Sequence, residues 1–180
     1  TGDQRFADRT VAVADWLVSN QAPDGAWRYA FRFRDLEPGW VSAMAQGVGI
    51  SMLLRAYHLT ADVQYRVAAF RARTLMDTPV MTGGALGVMA DGAPVYEEYA
   101  NSKSTPHVLN GWVFALIGLH ELAESTGDPA IYAHFEEMAE ALASHLGEYD
   151  TGWWSSYALA DAYRVASPEY HRLHVRQLEL

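Results

Sequence analysis

The chain has 180 residues, 50% of them hydrophobic and 12% aromatic, which suffices for one compact domain with a core of its own. Its formal net charge of -9 excludes a broad basic surface for nucleic acid or another polyanion, so an acidic ligand has to be met by a few placed arginines. There is no cysteine, so disulfides and thiolate metal sites are excluded and the compartment stays open.

No apolar run approaches the ~20 residues needed to cross a bilayer, and TGDQRFADRT lacks the apolar segment of a signal peptide. The missing initiator Met and the ending QLEL, inside a helical pattern, suggest an excised domain of a longer protein. Apolar residues Phe6, Val11, Val13, Ala14, Leu17 and Val18 fall mostly on one helical face. NQAPDG at 20–25 breaks that helix. A second helix, over about 42–59, follows LEPGW and is so dense in small and apolar residues that it reads as buried on most sides. A third, over about 61–76, is amphipathic and carries Arg66, Arg71 and Arg73.

Glycines at 83, 84, 87 and 92 then change the style of the chain. ADGAP between two short apolar stretches is a hairpin signal, because Asp-Gly suits tight turns. Helical patterns resume over about 107–125 and 129–146. Shorter helices are expected over about 156–165 and 168–180, the last with Ser167 as N-cap and Pro168 at its first position.

The segments SAMAQGVGISMLLRAYHLTAD and HVLNGWVFALIGLHELAESTGD form a weak repeat. Each opens on an amide followed by glycine (Gln46-Gly47, Asn110-Gly111), runs apolar, and ends in a Thr/Asp break before a second amphipathic helix. Glycine- and aromatic-rich loops (DGAW, GGALG, DTGWW) follow one end of each pair. Stacked helical hairpins of this kind can curve into an α/α toroid or a helical solenoid, and the expectation is a mainly α single toroid domain over 1–180. It would be an incomplete barrel of helical hairpins with a small β-hairpin near 80–99. By analogy of fold, the loops at one end would line a sugar-binding cleft.

Four sets of residues could carry chemistry. VYEEYA at 95–100 sets Glu97 and Glu98 between Tyr96 and Tyr99; by its residue types alone it reads more readily as a solvated hairpin arm than as a site. In a strand Glu98 and Tyr99 would face opposite sides, so both can serve one cleft only if the strand ends or bends there. In WWSSYALADAYRV at least one of Trp153 and Trp154 is core or sugar platform, and Tyr157 sits where a cleft residue would. On a helix from Pro168, Tyr170, His171 and His174 share a face. A metal site on the two histidines lacks an acidic partner, and structural histidines bonded to backbone are the better reading. Gln46 and Asn110 either satisfy backbone groups or bond a ligand. Phosphate-binding glycine motifs, a Gly-x-Ser-x-Gly elbow and His-Glu-x-x-His are all missing.

Taken in series, LEPGWVSAMAQGVGISMLLRAYHLTAD, VYEEYA, VLNGWVFALIGLHEL, YDTG, SSYAL and YHRLHVRQL resemble the C-terminal helical domain of the D-glucuronyl C5-epimerases. These enzymes convert glucuronate to iduronate in heparan sulfate precursors. The resemblance runs from about Leu36 to Leu180. It implies an α/α toroid normally preceded by β-rich segments that supply part of the site, no cofactor, and a uronate-containing polysaccharide as partner. A homodimer is left open.

Epimerisation at C5 needs two acid/base groups flanking the ring and donors for the charge on the carboxylate. A tyrosine acting as base has to be brought below its reference value of about 10. By motif match, Tyr99 and Tyr170 are the acid/base candidates, with Glu98 beside the first. Tyr157, Asn110, Gln46, Trp40 and His174 are the substrate-binding candidates. The family carries Tyr-Asp-Leu-Arg after the Tyr157 position, its arginine gripping the substrate carboxylate. Here the stretch is Tyr157-Ala158-Leu159-Ala160, and Arg164, one helical turn further on, is the substitute. The expected function is a uronate C5-epimerase-like domain. A polysaccharide lyase, or a carbohydrate-binding domain without chemistry, is the alternative.

Overall fold

The computed structural model describes residues 4–100, 103, 105–160 and 165–179. Among these the chain is mainly α, with six α-helices and one two-stranded antiparallel sheet. The order is α1 (Gln4–Asn20), α2 (Ala43–Thr60), α3 (Val63–Met76), β1 (Leu86–Val88), β2 (Pro94–Tyr96), α4 (Leu109–Thr126), α5 (Pro129–His145) and α6 (Pro168–Leu178). None of the helices among the described residues is long and apolar enough to cross a membrane.

Capping chemistry sets most helix starts. Ser42 accepts from Ala45 N, Asp62 from Gln64 N, Asp128 from Ala130 N and Ser167 from Tyr170 N, with proline in the first turn of α5 and α6. The internal repeat has a physical counterpart here. α2 and α4 both end in a left-handed residue, Ala61 (φ 58) and Gly127 (φ 64). Thr60 and Thr126 each accept from the following aspartate N–H, at 3.1 and 3.3 Å, and that aspartate caps the next helix.

α2 and α4 form the centre. α3 packs on α2, α5 on α4, α1 on α2 and α3, and α6 on α4. The central pair approaches backbone to backbone: a Cβ on Gly47 would lie 2.5 Å from the Phe114 carbonyl oxygen, and one on Gly118 would lie 2.3 Å from that of Gly47. Ile50, Leu53, Leu54, Trp112, Leu119 and Leu122 are fully buried around this contact.

Two expectations need correction. In α1 only Ala14 is buried, with Leu17 and Val18 partly so, while Phe6 and Val13 are exposed, so its apolar face is narrower than the pattern implies. The helix expected to begin near 156 is also absent over the described residues 155–160. Leu109 N donates to Tyr157 O at 3.1 Å and Leu159 N to Pro106 O at 2.9 Å, so tertiary pairing overrides a weak local preference. Tyr157 therefore projects from extended chain laid against the start of α4.

Candidate active site

The hairpin delivers the acidic stretch. β1 pairs with β2 in the register Leu86–Tyr96, Gly87–Val95 and Val88–Pro94. The turn is made by Asp91, which accepts from Ala93 N at 3.0 Å, and by Gly92 at φ +93. β2 ends at Tyr96 and residues 98–100 form a turn, which is the break that lets Glu98 and Tyr99 serve one side. Glu97 N donates to Ala85 O, Ala43 N to Glu97 O and Ala100 N to Val41 O, tying the stretch to the entry of α2.

A solvated arm is ruled out: Val95, Tyr96, Glu97 and Glu98 are all buried. Each polar group has its own destination. The Tyr96 hydroxyl donates to Asp77 at 2.5 Å and lies 3.2 Å from His134 Nε2, while Arg73 Nε donates to the other Asp77 oxygen at 2.8 Å. His134 holds the Asp77 carboxyl below its ordinary range against the pull of burial, and Asp77 in turn raises His134. Glu97 Oε1 lies 2.6 Å from His107 Nδ1, off the direction of a hydrogen bond.

Glu98 meets a separate set of partners. Asn110 Nδ2 reaches its Oε2 and the Tyr157 hydroxyl its Oε1, each at 3.4 Å, and the Tyr99 and Tyr157 hydroxyls are 3.1 Å apart. Gly111 makes room for this carboxyl, since a Cβ there would stand 2.5 Å from Oε2. Burial pushes Glu98 above the usual carboxylate range although Tyr99, Tyr157 and Asn110 favour its anion. Burial and the nearby Glu98 also drive Tyr99 and Tyr157 well above an ordinary phenol. The lowered tyrosine that the base role calls for is thus not found at either residue: each phenol holds its proton and faces a carboxylate.

α6 brings the fourth group. The Tyr170 ring meets the Tyr157 ring edge to face at 4.7 Å and is 40% exposed, leaving the cluster open on that side. Gln177 Nε2 donates to Asn110 O at 3.2 Å, which docks α6 on the first turn of α4. The loop before α2 packs on Tyr99, with Phe33 stacked on it at 5.4 Å and Trp40 tilted against it at 6.0 Å. Tyr29 stacks on Trp40 at 4.0 Å and feels the charge of Glu98.

The structure therefore gathers Tyr99, Tyr157, Tyr170, Glu98, Asn110 and Trp40. It does not bring Gln46 to them. That side chain is fully buried, and in the orientation that satisfies both ends of its amide it donates to Gly25 O at 3.1 Å and accepts from Trp27 N at 3.2 Å. His174 is buried and, with His171, meets Ser155 Oγ through Nδ1 (2.8 and 3.0 Å), a side-chain partner where backbone is expected. Burial and His171 bring His174 down to about 4, so it is neutral. His171 also stacks on Trp154 at 3.9 Å. Arg164 lies outside the described residues. Among the described residues no group of three or more His, Cys, Asp or Glu is placed to hold a metal ion. Sequence reasoning misses Tyr29 and Phe33; the alternation of aromatic and basic residues in RYAFRFR is the signal that could have found them.

Comparison with known proteins bears on the same residues. The family described as D-glucuronyl C5-epimerase C-terminus matches residues 21–180. A D-glucuronyl C5-epimerase of Caenorhabditis elegans is 37% identical over 191 residues, covering 93% of this chain and 31% of that protein. An uncharacterized protein of Methanocaldococcus jannaschii is 29% identical over 189 residues, covering 96% of this chain and 61% of that protein. The chain thus spans less than two thirds of either relative. With the match running through every element that builds the tyrosine–glutamate cluster, the chain belongs to the D-glucuronyl C5-epimerase C-terminus family.

Proposed function

We propose that the cluster is the proton-transfer site of a uronate C5-epimerase, acting on glucuronate residues of a glycosaminoglycan-type polysaccharide to give iduronate. The observation that carries the reading is the buried Glu98 carboxyl in contact with the phenols of Tyr99 and Tyr157, with the Tyr170 ring packed edge to face on that of Tyr157. In the same reading the helical pairs belong to an incomplete α/α toroid whose loops line the sugar cleft.

The proton inventory shapes the chemistry. A free phenolate at Tyr99 is disfavoured, because burial and Glu98 both raise it. Tyr99 acts as base by relay: its oxygen takes the C5 proton while its own proton passes to Glu98, whose raised affinity makes it a competent acceptor. Tyr170 returns a proton to the opposite face, inverting the centre. In the reverse direction the roles exchange. Negative charge that spreads onto the substrate carboxylate is met by neutral phenol donors, Tyr157 foremost.

Incubation with a glucuronan in heavy water tests the reading. The expected result is deuterium at C5 and iduronate in the product, without new ultraviolet absorbance. Absorbance from an unsaturated sugar assigns the site to a lyase instead, and binding without exchange assigns it to carbohydrate binding alone.

A further inference from the structure

Between Trp27 and Trp40 the chain alternates rings and guanidiniums: Arg28, Tyr29, Phe31, Arg32, Phe33, Arg34. Three of the thirteen basic residues of a chain with net charge -9 fall in these seven positions. The segment is a small hairpin. Tyr29 N donates to Trp40 O at 3.0 Å, Gly39 N to Tyr29 O at 2.7 Å, and Phe33 and Leu36 exchange backbone bonds of 3.1 and 2.8 Å. Arg34 and Asp35 form its tip.

Arg34 is left-handed, at φ 53, a turn position that glycine or asparagine fills without strain. Its guanidinium carbon lies 5.4 Å from the centre of the Phe33 ring, and Phe33 in turn stacks on Tyr99. Phe31 stands edge-on to Trp40 at 5.9 Å and is 52% exposed. Arg32 meets Glu37 at 2.7 Å with both side chains two-thirds exposed, a surface pair that a ligand can displace. Lys103 N donates to Asp35 at 2.8 Å, adding a further basic residue beside the tip. Rings and cations thus run outward from Tyr99 in one strip.

We infer that this hairpin is a flanking subsite for an extended uronate polymer. Phe31 offers a platform for the C–H face of a sugar next to the one at Tyr99, and Arg34 pairs with that neighbour's carboxylate. A few separate cations suit one carboxylate per sugar and suit a densely sulfated chain poorly, given the acidic remainder of the molecule. The inference rests on the proposed function, because a uronate at Tyr99 sets the register of the strip.

Calorimetric titration with glucuronan fragments of two and six residues, and with a carboxyl-reduced hexamer, tests it. The protein is expected to bind the charged hexamer at least tenfold tighter than the dimer, and at least tenfold tighter than the reduced hexamer. Arg34→Gly keeps the left-handed turn and removes the guanidinium, so it is expected to erase the preference for charge while retaining thermal stability. Phe31→Ala is expected to weaken both hexamers alike. In kinetics with the hexamer both changes act on KM and leave kcat within twofold. Equal affinity for dimer and hexamer, or an undiminished charge preference in Arg34→Gly, overturns the subsite. C5 exchange on the dimer reports separately on the proposed function: exchange without a length gain sinks the subsite alone, and a charge-dependent length gain without exchange sinks the epimerase reading and supports the subsite.

Discussion

Glu98 concentrates the tension of the site in one side chain. Its folded-state pKa stands above the unfolded value of 4.5, because burial penalises the carboxylate more than its three partners favour it. A carboxyl raised in this way contributes stability that is fully present below the unfolded value and is lost as pH rises through the folded one. Glu98→Gln removes that loss. At neutral pH the variant is expected to melt at a higher temperature than the parent, with the gap closing as pH falls below about 4.5. The same variant is expected to lose C5 exchange, since an amide cannot take the relayed proton. A lower melting temperature at neutral pH contradicts the burial argument. Of this site, the residue types in VYEEYA and their order were legible in the sequence; their burial was not. Side-chain alternation shows that the strand has to break for Glu98 and Tyr99 to work together, but not which partners await each. Those partners, Asn110 in α4, Tyr157 in extended chain and Tyr170 in α6, arrive from far along the chain.

The helices were legible because their signals are local. Caps, prolines and apolar density set α2 to α6, and the hairpin announces itself through Asp91 and Gly92. Residues 155–160 were not, because what shapes them is pairing with 106–109 and not their own preference. Gln46 and Asn110 show how a repeat can mislead. They hold equivalent positions, yet Gln46 satisfies the backbone of the loop at 25–27 while Asn110 reaches Glu98. The repeat also yields a stability prediction. Ala61 holds a left-handed cap that Gly127 fills without strain at the matching place. Ala61→Gly is expected to raise the stability measured by urea denaturation by about 1 kcal/mol, the scale of the left-handed penalty for a residue with a Cβ. A loss of stability there means that the α2–α3 connection is unstrained.

At the scale of the molecule, the six α-helices of the described residues belong to a chain that spans less than two thirds of either relative it matches. Among the described residues the Tyr99 and Tyr157 phenols stand beside the buried Glu98, and Tyr170 meets the Tyr157 ring edge to face. In the proposed function Tyr99, backed by Glu98, and Tyr170 are the two proton-transfer groups. The central claim is therefore about two phenols. Deuterium incorporation at C5 of a glucuronan in heavy water, followed by proton NMR for the parent, Tyr99→Phe and Tyr170→Phe, tests it most directly. Loss of either phenol is expected to slow exchange by about 10²-fold or more, the usual weight of one acid/base group. Exchange at the parent rate in both variants contradicts the assignment of proton transfer to this cluster.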